Sequence, residues 1–159
     1  MKRTQDLKAQ YQLQMDEEGV LLAAATILER RLQRQGRIHS PEQAASYLVA
    51  RCAHLSHEIF GVVFLDTKHH ILATEHLFSG TIDGCEVHPR VVAKRALELN
   101  AVALVLFHNH PSGSPEPSEA DRKVTQRLQE ALGLLDIRVL DHLVIGGRQH
   151  VSLAARGWA

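Results

Sequence analysis

Cysteine is scarce in this chain of 159 residues: Cys52 and Cys85 are the only two, and neither sits in a Cys-x-x-Cys pair. So few thiols exclude a disulfide-built scaffold; one bridge is possible on paper, but a cytoplasmic protein is the simpler expectation. Net charge is also lacking, because 18 Lys and Arg balance 18 Asp and Glu. No overall field draws the molecule to nucleic acid, membrane or acidic substrate, so a nucleic-acid role would need a local basic patch. Long hydrophobic runs are missing as well. The stretch Val20 to Leu28 is too short to span a bilayer and contains Thr26, and the opening segment, Met1 to Gln14, is polar and carries Asp6. There is no internal repeat and no low-complexity tract.

What is present is an ordinary balance for one globular domain, 45% apolar and 23% charged, with 11 histidines. The periodicity predicts a helix over residues 15–35, with Val20, Leu21, Ala24, Ile27, Leu28 and Leu32 on one face and Gly36 as its stop. Arg30, Arg31, Arg34 and Arg37 crowd its end, either as a solvated cationic terminus matched to the helix dipole or as a phosphate-contacting patch. Ser40-Pro41-Glu42-Gln43 opens a second helix, running to about Leu55. Ile59–Leu65 and Ile71–Phe78 predict a hairpin across Asp66-Thr67-Lys68, and Ser79-Gly80 and Asp83-Gly84 mark a loop. A helix over Val91–Leu99 follows, then a buried central strand over Ala101–Phe107. A helix from Ser118 to about Leu132 comes next, and a closing hairpin turns at Gly146-Gly147. This order predicts an α/β (α+β) sandwich with a mixed sheet flanked by helices. Residues 1–38 form a helical N-terminal extension to a domain of residues 39–159.

The informative segment runs from Phe107 to Asp121. His108 and His110 lie at the end of a buried strand, where residues i and i+2 share a face, so both imidazoles can converge on one ion. Three prolines within the seven residues Pro111–Pro117 stiffen the loop that follows. Ser118 is then the N-cap of a helix and Asp121 its third residue, at the end that stabilises an anion. Ser-x-x-Asp alone would read as a capping box. Joined to His-x-His at this distance, it predicts a metal site of His108, His110 and Asp121. Two imidazoles and a carboxylate on Zn2+ leave one tetrahedral position open, the pattern of a catalytic rather than a structural site.

His-x-His, seven residues, then Ser-x-x-Asp resembles the signature of the JAMM (JAB/MPN) metalloproteases. The wording His-Asn-His-Pro-Ser-Gly is similar to the RadC-like branch. Further stretches carry the same likeness, among them Phe64-Leu65-Asp66-Thr67, Val87-His88-Pro89-Arg90, Ala96-Leu97-Glu98-Leu99-Asn100-Ala101 and Leu140-Asp141-His142. The resemblance covers roughly residues 40–153. It implies a JAB/MPN-like (cytidine-deaminase-like) fold, zinc on His108, His110 and Asp121, and Ser118 bonded to the developing oxyanion. It also implies a glutamate general base and a peptide or isopeptide substrate. Glu58, in Glu58-Ile59-Phe60-Gly61-Val62-Val63, resembles the family's Glu-x-x-Gly stretch; Glu75 on the next strand is the alternative. Longer RadC-like proteins add a helix-hairpin-helix DNA-binding module, and the first 38 residues lack its Gly-containing hairpin.

Rival chemistries are excluded by spacing. His57-Glu58-Ile59-Phe60 is followed by Gly61, so there is no His-Glu-x-x-His. The separated cysteines exclude a zinc nucleobase deaminase, and an HNH nuclease draws its name from dispersed residues. His142 reads first as a core histidine, with support of a metal ligand as the alternative. Two further classes stay open: a DNA-repair-associated factor using the arginine cluster, and a non-catalytic zinc-binding interaction module.

Overall fold

The computed structural model describes residues 17–80 and 87–159, with 32–35 as backbone alone. Helix α1 (Glu17–Gln35) packs on α2 (Pro41–Cys52), which begins at the predicted Ser40 cap, where the Ser40 hydroxyl accepts the Gln43 N–H. Strands β1 (Ile59–Leu65) and β2 (Ile71–Ser79) form the hairpin, α3 (Pro89–Glu98) crosses to β3 (Ala103–His110), and α4 (Glu119–Gly133) crosses to β4 (Arg138–Gly146) and β5 (Gln149–Ser152). These elements follow the predicted order, and their bounds differ from the expected ones by no more than three residues. Asp83-Gly84, Cys85 and the segment before residue 17 lie outside the described residues.

The five strands make one mixed sheet in the order β2-β1-β3-β4-β5. Only β3 and β4 are parallel; the other neighbours are antiparallel. A parallel pair requires a crossover, and α4 is that crossover. The chain leaves β3 at one end of the sheet and must travel back along α4 to start β4. The N-terminus of α4 therefore sits at the C-terminal end of β3, the edge where sheets of this kind gather their ligands.

Alternation along the strands divides the core in two. Ile59, Val63, Val105, Phe107, Leu143 and Ile145 point to one face and pack with Ala44, Tyr47, Leu48 and Cys52 of α2. Phe60, Val62, Phe64, Leu104 and Leu106 point to the other, against Val92 and Ala96 of α3 and Leu128 and Leu132 of α4. The even-numbered face of β3 thus runs Leu104, Leu106, His108, His110, and the hydrophobic layer turns polar at the strand's end. Burial pushes the Cys52 thiol up to about 12 and makes it an unreactive core residue.

The face expected for α1 is only partly the buried one. Ala25 is buried and Leu28 joins the core, but Val20 and Ile27 are 53% and 48% exposed. Among the described residues α1 rests mainly on one other helix, a contact narrower than its apolar residues would fill. Arg30, Arg31 and Arg37 are exposed. The helix pair that carries them covers the sheet face opposite the His108–His110 side.

Candidate metal centre

The end of β3 and the start of α4 bring His108, His110 and Asp121 together. Among the described residues, they are the one group of three or more His, Cys, Asp or Glu side chains whose ligand atoms all lie within 4.8 Å of one another. His108 Nε2 lies 3.0 Å from His110 Nε2 and 3.2 Å from Asp121 Oδ1, and His110 Nε2 lies 3.6 Å from Asp121 Oδ2. Tetrahedral zinc with arms of about 2.0–2.1 Å needs ligand atoms roughly 3.3 Å apart. His108 Nε2 stands near that length from His110 Nε2 and from Asp121 Oδ1, while the second carboxylate oxygen faces His110, so this donor set suits the ion in chemistry and in approximate spacing. His108 and Asp121 side chains are buried, whereas His110 is 16% exposed and forms the open side.

Each candidate ligand is oriented by a second bond. The Ser114 carbonyl accepts from His110 Nδ1 at 2.9 Å, which fixes a proton on Nδ1 and turns Nε2 toward His108 and Asp121. Ser114 can stand there because the loop lies directly on Gly146, the residue paired with His110 across the sheet. A Cβ at Gly146 would come within 2.3 Å of the Ser114 carbonyl carbon and the Pro115 nitrogen. Beyond Pro115 the loop is fastened by a two-pronged ion pair between Glu116 and Arg156, whose guanidinium stacks on Trp158.

Asp121 is set by the α4 cap. Its Oδ2 accepts the Ser118 N–H at 2.7 Å while Ser118 Oγ accepts the Asp121 N–H at 3.1 Å, a complete capping box. The two readings of Ser-x-x-Asp are therefore one geometry: the cap aims the carboxylate at the imidazoles. Burial alone would raise the Asp121 carboxyl. Hydrogen bonds to His108 and His110, the His108 charge and the Ser118 N–H outweigh it and hold the group well below the usual carboxylate range. Asp121 in turn raises His110, against the opposing effect of burial, with help from the Ser114 carbonyl and the Glu58 charge.

Glu58 immediately precedes β1. Phe60 is paired with His108, so Glu58, two residues earlier on the same face, falls beside His110. Its main chain is held closely. The Glu58 carbonyl accepts the Gly80 N–H at 3.0 Å. On its two sides, Asn109 Oδ1 accepts the Ile59 N–H at 2.8 Å and Asn109 Nδ2 donates to the His57 carbonyl at 3.0 Å. The middle residue of His-Asn-His thus points to the opposite face and clamps the backbone around Glu58. Glu75 is placed elsewhere. It pairs with Val62 and accepts three hydrogen bonds from Arg95 of α3 at 2.6–2.9 Å.

His142 is wholly buried and does more than fill the core. Its Nε2 is 2.7 Å from His108 Nδ1, and its Nδ1 is 2.6 Å from Thr125 Oγ1. Desolvation, reinforced by the charge on His108, lowers its pKa well below the ordinary histidine value. His142 is thus a core histidine that also contacts the candidate ligand His108. Asn109 and Thr125 were not singled out from the sequence; the His-x-His spacing placed Asn109 on the strand's other face but did not reveal what it reaches.

A family model described as the RadC-like JAB domain matches residues 38–158. The chain is 52% identical over 141 residues to a UPF0758 protein of Stutzerimonas stutzeri and 52% identical over 141 residues to one of Azotobacter vinelandii, covering 89% of this chain in both cases. It is 51% identical over 142 residues to a UPF0758 protein of Vibrio cholerae, covering 89% of each chain. The match spans 63% of the length of the Stutzerimonas and Azotobacter relatives.

Proposed function

Because this chain belongs to the RadC-like JAB domain family, with a donor triad suited to a metal, we propose that it is a zinc-dependent hydrolase of peptide or isopeptide amides. The observation that carries this reading is the convergence of His108, His110 and Asp121 within ligand reach of one another, with His110 on an open side and Glu58 beside it. Three protein ligands with a fourth position left to water or substrate is the arrangement of catalytic rather than structural zinc. No comparable observation favours a nucleic-acid role, since the exposed arginines of α1 lie across the sheet from the triad.

His108, His110 and Asp121 would hold the ion, which supplies Lewis acidity that brings water toward ionisation near neutral pH and polarises a carbonyl. The remaining steps belong to the chain's own residues. Glu58, as a carboxylate, accepts a proton from the attacking water. The water oxygen adds to the amide carbonyl, and the Ser118 hydroxyl, whose oxygen already accepts the Asp121 N–H, donates a hydrogen bond to the developing oxyanion. Glu58 then returns the proton to the leaving amine as the carbon–nitrogen bond breaks, regenerating the carboxylate.

The test uses the purified full chain on peptide and isopeptide substrates, with metal content measured in parallel. Hydrolysis should disappear with a chelator and return with zinc. Glu58→Gln should lower kcat by about 10²–10⁴ while zinc stays bound. Chelator-insensitive hydrolysis, or an unimpaired Glu58→Gln, would refute the reading.

A further inference from the structure

We propose that Thr125 and His142 form a hydrogen-bond relay of fixed direction that holds His108 in the tautomer protonated on Nδ1, aiming its Nε2 lone pair at His110 and Asp121. This makes them positioning residues for the metal ligand. The inference rests on reading His108, His110 and Asp121 as ligands and does not depend on amide hydrolysis.

The direction follows from a single acceptor. Thr125 Oγ1 lies 2.7 Å from the main-chain carbonyl of Asp121, one turn earlier in α4. A carbonyl has no proton to give, so the Thr125 hydroxyl proton is committed to that bond, a common choice for threonine inside a helix. Thr125 Oγ1 also lies 2.6 Å from His142 Nδ1. With its proton committed, the hydroxyl can only accept there, so His142 Nδ1 carries a hydrogen.

His142 is fully enclosed and packs edge-on against Phe60. A neutral imidazole suits that apolar contact, and with hydrogen on Nδ1 its Nε2 is bare. That bare nitrogen is 2.7 Å from His108 Nδ1, so the proton in this bond belongs to His108. The His108 lone pair is then on Nε2, the atom facing Asp121 Oδ1 at 3.2 Å and His110 Nε2 at 3.0 Å. Running the relay backwards would put hydrogen on His108 Nε2, the atom that must be bare to bind an ion. It would also leave two oxygens 2.7 Å apart with no proton between them.

The relay closes on itself. Asp121 offers its carboxylate to the site and its carbonyl to Thr125, so one residue both ligates and dictates the tautomer of another ligand. A metal ion bound here would take the His108 Nε2 lone pair, and the relay favours the Nδ1-protonated form that such binding requires.

Nitrogen-15 NMR of the full chain labelled at histidine tests this without any substrate. In the zinc-loaded protein at neutral pH, His142 should carry its hydrogen on Nδ1, with a through-hydrogen-bond coupling between His108 Nδ1 and His142 Nε2. Finding the His142 proton on Nε2 overturns the proposal. In the second arm, Thr125→Val keeps the shape and removes the hydroxyl. Its zinc Kd should weaken about 10–100-fold, and Thr125→Ser should restore it. An unchanged Kd in a folded Thr125→Val overturns the positioning role; should that variant not fold, the wild-type spectrum decides. The predicted tautomer in a protein that hydrolyses no amide would support the relay and remove the proposed activity instead.

Discussion

Replacing Asn109 with aspartate should impair turnover far more than metal binding. The side chain is 2% exposed and makes two bonds of opposite sense: its oxygen accepts the Ile59 N–H at 2.8 Å, and its nitrogen donates to the His57 carbonyl at 3.0 Å. Aspartate has nearly the same shape and preserves the first bond. The second becomes a contact between two acceptors, with the His57 carbonyl left without its donor. Loss of a buried partner costs about 1–3 kcal/mol, which in a domain of this size lowers Tm by roughly 2–12 °C. The functional effect should be larger than the stability effect. The clamped residues flank Glu58, and moving a catalytic group by about 1 Å can cost on the order of 100-fold in rate. The measurements are urea denaturation, zinc competition against a chromophoric chelator, and kcat with KM on an amide substrate. The expected pattern is a modest stability loss, a zinc Kd within a few-fold of wild type, and a kcat drop of about 100-fold. A kcat loss that merely tracks weakened zinc binding would refute the argument, because Asn109 would then be acting through its neighbours His108 and His110.

Glu75→Gln should leave zinc-dependent turnover unchanged in a kinetic assay, since Arg95 already engages that carboxylate, and should cost no more than about 1 kcal/mol. Gly146→Ala should displace the Ser114–Pro115 backbone, destabilise the fold by about 1–3 kcal/mol and weaken zinc affinity through the lost His110 support, measurable by chelator competition. In metal-free protein, His142 is held neutral with a lowered pKa. Its contribution to stability is therefore kept above the unfolded value of about 6.5 and lost as pH falls from there toward the folded value. Chelator-treated protein should accordingly need less urea to unfold at pH 5.5 than at pH 7.5, and His142→Asn should flatten that part of the profile.

Much of this molecule was legible because its signals are local. Alternating apolar residues from Ile59 to Leu65, the Ser40-Pro41 start and the Ser118 cap each depend on neighbours a few positions apart, and each element formed where its pattern stood. The α1 face was read less well. Helical periodicity names apolar residues but not which of them will meet another element; among the described residues α1 packs chiefly on α2, and Val20 and Ile27 lie off that contact.

The triad His108, His110 and Asp121 was determined by sequence alone, through a strand period that aligns two imidazoles and a cap that orients one carboxylate after a stiff loop. The grip of Asn109 on residues 57 and 59, and the chain from Asp121 through Thr125 and His142 to His108, were decided by tertiary structure. The physical reason is sequence separation. These bonds join groups up to 52 positions apart, and they exist only because β1, β3 and β4 lie side by side in one register with α4 closed over them.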